Sequence, residues 1–255
     1  MSEVSLPFRD RLALGTQRLL GWLFFLFLAG LLVAGMRFIL RYRVTNLKRV
    51  RGQFKRLVGT KRAPLLVCAN HLTLIDSAVI QWALASNWTY LKTFRLFAWN
   101  VPERRNFASN VYLRVVCYLL KCVPVVRRGP PQETKAILDK LRYLLASHEA
   151  LFIFPEGTRS KTGRVDTENF GYGVGRLCAE VEGVRVLCVY QRGAHQERSS
   201  SLPRRKETFY TDMRLIRPRS DHKGLRAARD IATQIVATLN DMEQKYFAHP
   251  VARRQ

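Results

Sequence analysis

The sequence predicts an α/β fold: a mixed, largely parallel sheet flanked by helices, with an apolar helix ahead of it. Three observations carry this. Apolar runs at 64–69 and 151–154, and further strand candidates at 184–191 and 209–216, have the length of strands. Stretches at 132–147 and 231–247 instead repeat apolar residues every three or four positions, as amphipathic helices do. Residues 19–36 carry no charge at all. Apolar strands alternating with amphipathic helices bury their faces by stacking helices on a sheet.

The uncharged run, between Arg18 and Arg37, would reach about 27 Å as a helix, a little under the roughly 30 Å hydrocarbon layer, and the flanking Arg side chains can snorkel. Residues 37–41 follow it without a small-residue cleavage site, which argues for an anchor that is retained over a signal peptide that is removed. Its uniform apolarity favours spanning; Gly21, Gly30 and Gly35 would let it bend and lie in one leaflet instead. From Arg41 to Arg62 there are nine basic residues and no acid (Arg41, Arg43, Lys48, Arg49, Arg51, Lys55, Arg56, Lys61, Arg62). Beside an apolar helix such a collar binds an anionic cytoplasmic leaflet and satisfies the positive-inside rule. The chain therefore divides into a membrane-anchoring segment, 1–43, and one α/β domain with a basic membrane-facing surface, 44–255, the domain lying on the cytoplasmic face of the inner membrane.

The run at 64–69 is the first buried strand. After it, 77–85 continues as an apolar helix, and 88–120 interleaves aromatic and basic residues. Such a segment can stack on bases or sit at a lipid interface; beside an anchor the interface is favoured. Residues 122–126 read as a short strand ending in Arg127-Arg128. Ile137, Leu141, Leu144 and Leu145 share one face of the next helix, and 151–154 is the second buried strand. Two further strands at 184–191 and 209–216 precede a closing helix with Ile231, Ile235, Leu239 and Met242 on one face.

Against 19 acidic side chains stand 43 basic ones, a net charge of +24, so the partner is anionic: phospholipid head groups, an acidic carrier or nucleic acid. The five cysteines, Cys68, Cys117, Cys122, Cys178 and Cys188, form no C-x-x-C pair and sit mostly in apolar runs. That pattern excludes a disulfide framework and a zinc site, and suits reduced core residues.

Two strand ends carry the chemistry. At the first, His71 and Asp76 are five positions apart, which on a continuous helix would separate them by about 140°. They can meet only if the chain turns between them, with a helix opening near Thr73; Asp76 would then fix the imidazole tautomer and leave the other nitrogen free as a base. An N-terminal helix cap reads the same residues equally well. At the second, Pro155 stops a strand, Gly157 lets backbone approach a ligand, and Arg159 offers a planar fork suited to phosphate. Alone, this turn would be ordinary. Gly171-x-Gly-x-Gly175 has the wrong spacing for a dinucleotide fingerprint.

Together, His71-x4-Asp76 and the sequence Phe154-Pro-Glu-Gly-Thr-Arg159 about 80 residues later resemble the glycerolipid acyltransferase family, whose best-known members are the 1-acylglycerol-3-phosphate acyltransferases. The resemblance covers roughly residues 60–195. It implies a glycerol-3-phosphate acyltransferase-like fold, with His71 and Asp76 as the catalytic pair. Glu156, Gly157, Thr158 and Arg159 would form an acceptor-binding block, and Arg127 and Arg128, the latter matching better, would bind the acceptor phosphate. Phe170 and Gly173 match a later Phe-x-x-Gly step. Thr73 stands where the family usually has Ser, Cys188 where it has Pro, and Gly171-Tyr172 where a basic pair is common. The implied reaction moves an acyl group from acyl-ACP or acyl-CoA to a lysophospholipid hydroxyl such as that of 1-acylglycerol 3-phosphate, with no cofactor and no metal. Glycerol 3-phosphate, a lyso-aminolipid or a specialised lipid are the alternative acceptors. A membrane-tethered nucleic-acid-binding protein would leave both motifs unexplained, so no nucleic acid is expected.

Overall fold

The sheet is built around the run that precedes His71. In the computed structural model, which describes residues 6–59, 62–106, 110–126 and 129–248, the strands are β1 (Arg43–Val44), β2 (Leu65–Ala69), β3 (Trp99–Asn100), β4 (Leu151–Ile153), β5 (Arg185–Gly193) and β6 (Thr208–Ile216). Their order is β1-β6-β5-β2-β4-β3. Every pairing is parallel except β5 with β6, so the expected mixed, largely parallel sheet is present. All five residues of β2 are buried, as a strand covered on both faces requires.

The helices are α1 (Phe8–Ala34), α2 (Leu47–Val58), α3 (Asp76–Leu84), α4 (Asn87–Lys92), α5 (Val111–Leu119), α6 (Pro131–Ala146), α7 (Gly173–Glu180) and α8 (Gly224–Ala248). Side chains alternate across the sheet. Leu66 and Cys68 face a core with Ile137, Leu141, Ile231 and Leu239 from α6 and α8. Leu65, Val67 and Ala69 face a second core with Phe25, Phe54 and Ile80 from α1, α2 and α3. Each such Leu or Phe, once buried, contributes about 1.5–3 kcal/mol. Gly175 is a packing glycine: a Cβ there would lie 1.8 Å from Ala228 O, so only hydrogen lets α7 meet α8 this closely.

Helix α1 is docked along its length. Leu14, Gln17, Gly21, Phe25 and Ala29, spaced three or four apart, form its buried stripe. Phe25 meets Phe94 and Phe97 edge-on with centroids 5.4 and 4.8 Å apart, and Gln17 Nε2 donates to the carbonyls of Tyr118 and Cys122, both at 2.9 Å. Arg18 Nε pairs with Glu149 at 3.1 Å. Glu149 in turn holds the fully buried Lys121 ammonium at 2.7 Å and accepts from Trp99 Nε1 at 2.9 Å. Burial drives the Lys121 pKa down to about 8, against the pull of Glu149. The helix continues as a π-helical turn, Gly35–Ile39, and its outer side presents Phe8, Leu12, Leu19, Leu23, Phe27, Phe38 and Ile39 to solvent. Over 8–39 it is long and apolar enough, at mean hydropathy 2.4 over its most apolar stretch, to cross a membrane.

Three expectations change. Among the described residues, 122–126 make only isolated bridges, Asn100 with Cys122 and Glu103 with Val125, because Pro102, which accepts from Val125 N, has no N–H to donate to the rung between them. The helix after His71 opens at Asp76, three residues later than Thr73. In the aromatic segment, Tyr90, Phe94, Phe97 and Trp99 are core residues, which leaves Trp88, Tyr112 and Tyr118 among its exposed aromatics.

Candidate active site

Strand β2 delivers Asn70 and His71 to the carboxyl end of the sheet, where open α/β sheets bind ligands. Asn70 locks that end: its Oδ1 accepts from Gln191 N at 2.8 Å and its Nδ2 donates to Gln191 O at 2.9 Å. The chain then turns and α3 begins. The turn is closed by Asp76, whose Oδ2 accepts from the amides of Leu72 and Thr73, both at 2.6 Å. Its Oδ1 accepts from the Thr73 hydroxyl. The same Oδ2 lies 3.1 Å from His71 Nδ1. Asp76 thus closes the turn and partners the imidazole, but it does not cap α3: the amides it takes precede the helix, and Ile75 at the N-cap position makes no side-chain cap bond.

His71 is fixed on four sides. Its Nδ1 faces Asp76, an acceptor-only group, so the proton sits on Nδ1 and Nε2 keeps its lone pair. Its ring is stacked on Phe154, centroids 3.8 Å apart and planes 9° from parallel. Its N–H donates to Glu156 Oε1 at 3.1 Å, and its carbonyl accepts from Ser160 N at 2.9 Å. Nε2 makes no hydrogen bond among the described residues.

The second motif therefore frames the first. Pro155 ends β4's path, and Gly157 turns the chain at φ +65°, a conformation costly for residues with a Cβ. Glu156 is buried beside His71, and among the described residues its Oε2 has no hydrogen-bond partner. Burial raises its carboxyl pKa to about 8, with the amides of His71 and Asp166 only partly offsetting it, so at neutral pH it is mainly a neutral acid. Thr158 is exposed and Arg159 half-buried; Arg159 Nη1 donates to Ser200 O at 2.9 Å, and its neighbour Ser160 touches His71. Arg127 and Arg128 lie outside the described residues. Phe170 and Gly173 fall beyond the turn, Gly173 as the first residue of α7.

Beside the turn opens an apolar cavity of about 360 Å³. Leu74, Ile75 and Ala78 line it from the His71 side, Leu32 from α1, and Trp82 and Phe97 complete it.

A family model described as Acyltransferase matches residues 41–191, more than half of the chain. The chain belongs to the acyltransferase family. A comparison with curated proteins finds no match. Membership supports acyltransferase activity, hence an acyl donor and a lipid acceptor in general terms. The matched span of this acyltransferase takes in β1, β2, β3, β4 and most of β5, with the whole His71 turn, and leaves out α1, β6 and α8.

Sequence reasoning gave no role in the site to Asn70 or Phe154, although Phe154 opens the second motif. Phe154 had a signal, as the last apolar residue before Pro155; Asn70 had one as the polar residue that ends the β2 run. Ser160 and Ser200 act through backbone atoms, which no residue type announces.

Proposed function

We propose that this acyltransferase moves an acyl group from a thioester, acyl-ACP or acyl-CoA, to a hydroxyl of a lysophospholipid such as 1-acylglycerol 3-phosphate. The observation that carries the reading is the His71–Asp76 pair at 3.1 Å, with Nε2 uncommitted, beside an apolar cavity. An alcohol pKa far above 7 means the hydroxyl must lose its proton as it attacks. Nε2 takes that proton while the oxygen bonds to the thioester carbonyl carbon. The tetrahedral intermediate then expels the thiolate, which recovers the proton from His71, and Asp76 stabilises the transient imidazolium. Direct transfer fits better than an acyl-enzyme, because the hydroxyl within the His71 turn, that of Thr73, is fully buried and committed to Asp76. Arg159, with Arg127 and Arg128 from the adjoining sequence, holds the acceptor phosphate, and the cavity takes an acyl chain.

The docking of α1 from Leu14 to Met36 favours a helix lying in one leaflet, since a spanning helix would carry Glu149 and Lys121 into hydrocarbon with it. Its exposed apolar side faces the acyl region, and the collar from Arg41 adds about 1 kcal/mol per basic residue near anionic lipid, on the cytoplasmic face of the inner membrane. The test is labelled acyl transfer by membranes over a panel of lyso-acceptors, with mass analysis of products. His71→Ala is expected to abolish transfer while the protein stays folded and membrane-bound; undiminished turnover would overturn the reading.

A further inference from the structure

Beyond the end of β5 the chain enters an irregular stretch, outside the span matched by the family model, whose backbone is held at both ends by elements far away in sequence. At one end it grips the candidate site. Ser200 N–H donates to Leu72 O at 3.0 Å, Ser201 O accepts from Leu74 N at 3.2 Å, and Ser200 O accepts from Arg159 Nη1 at 2.9 Å. A few residues later it grips the end of the apolar helix. Pro203 O accepts from the Tyr42 hydroxyl at 2.9 Å, Arg205 Nε donates to Ile39 O at 3.0 Å, and Lys206 N donates to Leu40 O at 2.7 Å.

These contacts are unequal. Ser201, Leu202, Arg204, Arg205 and Lys206 are exposed, so water competes for their bonds and each contributes little. The Tyr42 hydroxyl bond is buried: Tyr42 is 1% exposed, its ring edge-on to Phe209 with centroids 5.3 Å apart. Breaking it would leave a buried carbonyl without a partner, the costly case. Tyr42 stands three positions after Ile39, which with Phe38 is about 70% exposed and apolar, so the residue that pins the stretch is seated where the chain meets the membrane.

We propose that residues 199–206 are a strap between the membrane-facing end of α1 and the site, with Tyr42 as a positioning residue that sets the placement of Arg159 and of the Leu72–Leu74 turn. The inference rests on the reading of Arg159 as the acceptor's phosphate ligand and of His71 as the base. It assigns acceptor affinity in part to a residue in the 39–42 corner, remote from both motifs, and it makes the lie of the anchor one determinant of how the phosphate is held.

The experiment is Tyr42→Phe in the full chain on anionic phospholipid vesicles, assayed with palmitoyl-CoA and 1-acylglycerol 3-phosphate, beside amide hydrogen exchange. Loss of one buried hydrogen bond predicts a rise of about fivefold in KM for the acceptor. The KM for palmitoyl-CoA stays unchanged and the melting temperature falls by only a few degrees, a split between donor and acceptor that a merely structural role would not give. Exchange at Leu74 and Ser200 should quicken by a similar factor while α8 stays protected. If the wild type transfers nothing to this acceptor, the functional reading fails by itself, and exchange decides the strap alone. Unchanged exchange at Leu74 and Ser200 overturns it, as does equal loosening of donor and acceptor KM in an active enzyme.

Discussion

Replacing Asp76 separates charge from geometry at the candidate site. Three donors converge on its Oδ2, from His71 Nδ1 and the amides of Leu72 and Thr73, and one on Oδ1, from the Thr73 hydroxyl. In Asp76→Asn the carbonyl can take the Oδ2 position and keep its three donors, while the new NH2 faces a hydroxyl that can turn to accept. The fold is therefore kept and only the negative charge is lost. A hydrogen bond to a charged group is worth about 1.5–3 kcal/mol against 0.5–1.5 for a neutral one, so the imidazolium formed during transfer loses about 1–2 kcal/mol of support. That is roughly 5- to 30-fold in kcat. In Asp76→Ala four bonds go, and two buried amides are left unpaired at about 1–3 kcal/mol each, a large share of a typical 5–15 kcal/mol stability. Loss of the group that fixes the His71 tautomer and supports the imidazolium then removes most of the 10²–10⁴ that a placed base supplies. Single-turnover acyl transfer and thermal denaturation of both variants provide the check. Wild-type kcat in Asp76→Ala would refute the orienting role. Equal collapse of both variants would refute the separation of charge from geometry.

Two further outcomes follow from burial. The Glu156 carboxyl pKa is raised to about 8 in the fold, above its ordinary 4.5. The stability this lends is present in full below pH 4.5 and is lost as pH climbs through about 8; Glu156→Gln, still able to accept from His71 N, should lack that decline in urea titrations across the range. Parallel curves would show that the carboxyl is already ionised. A Cβ on Gly21 would sit 2.7 Å from Leu119 O, whereas one on Gly30 meets nothing within 4 Å. Gly21→Ala should cost about 1–3 kcal/mol in detergent-solubilised protein, and Gly30→Ala should gain up to about 1 kcal/mol of helix propensity. Similar melting points for the two would rule out the close packing of α1 on α5.

What was legible in the sequence was what is continuous in it. Strands β2 and β4 are unbroken apolar runs, β5 has an apolar centre and β6 alternates buried with partly exposed residues, whereas β1 and β3 are two residues each and leave no pattern. Helix α2 hid in the basic collar, because its apolar stripe, Val50, Phe54 and Val58, is outnumbered by the cations between. The His71–Asp76 pair could be read because five residues and one turn make it. Phe154, Ser160 and Ser200 come to the site only through the packing of β4 and of the stretch after β5, a long-range fact without a local trace. Burial adds what no motif spells out: Glu156, which the resemblance places with the acceptor, is a buried carboxyl that accepts from the His71 amide.

The joint between Ile39 and Arg205 spans 166 positions of sequence. At about 5–20 residues per second, synthesis needs roughly ten to thirty seconds to cover that distance. Early in that interval α1 lacks Phe94 and Leu119, and to its end α1 lacks the stretch at 199–206, so part of its apolar surface stays uncovered. A bilayer is the apolar surface at hand during the delay. The nascent chain would reach lipid first and complete its active site second, so the order of events during translation would itself place the enzyme where its substrates dissolve.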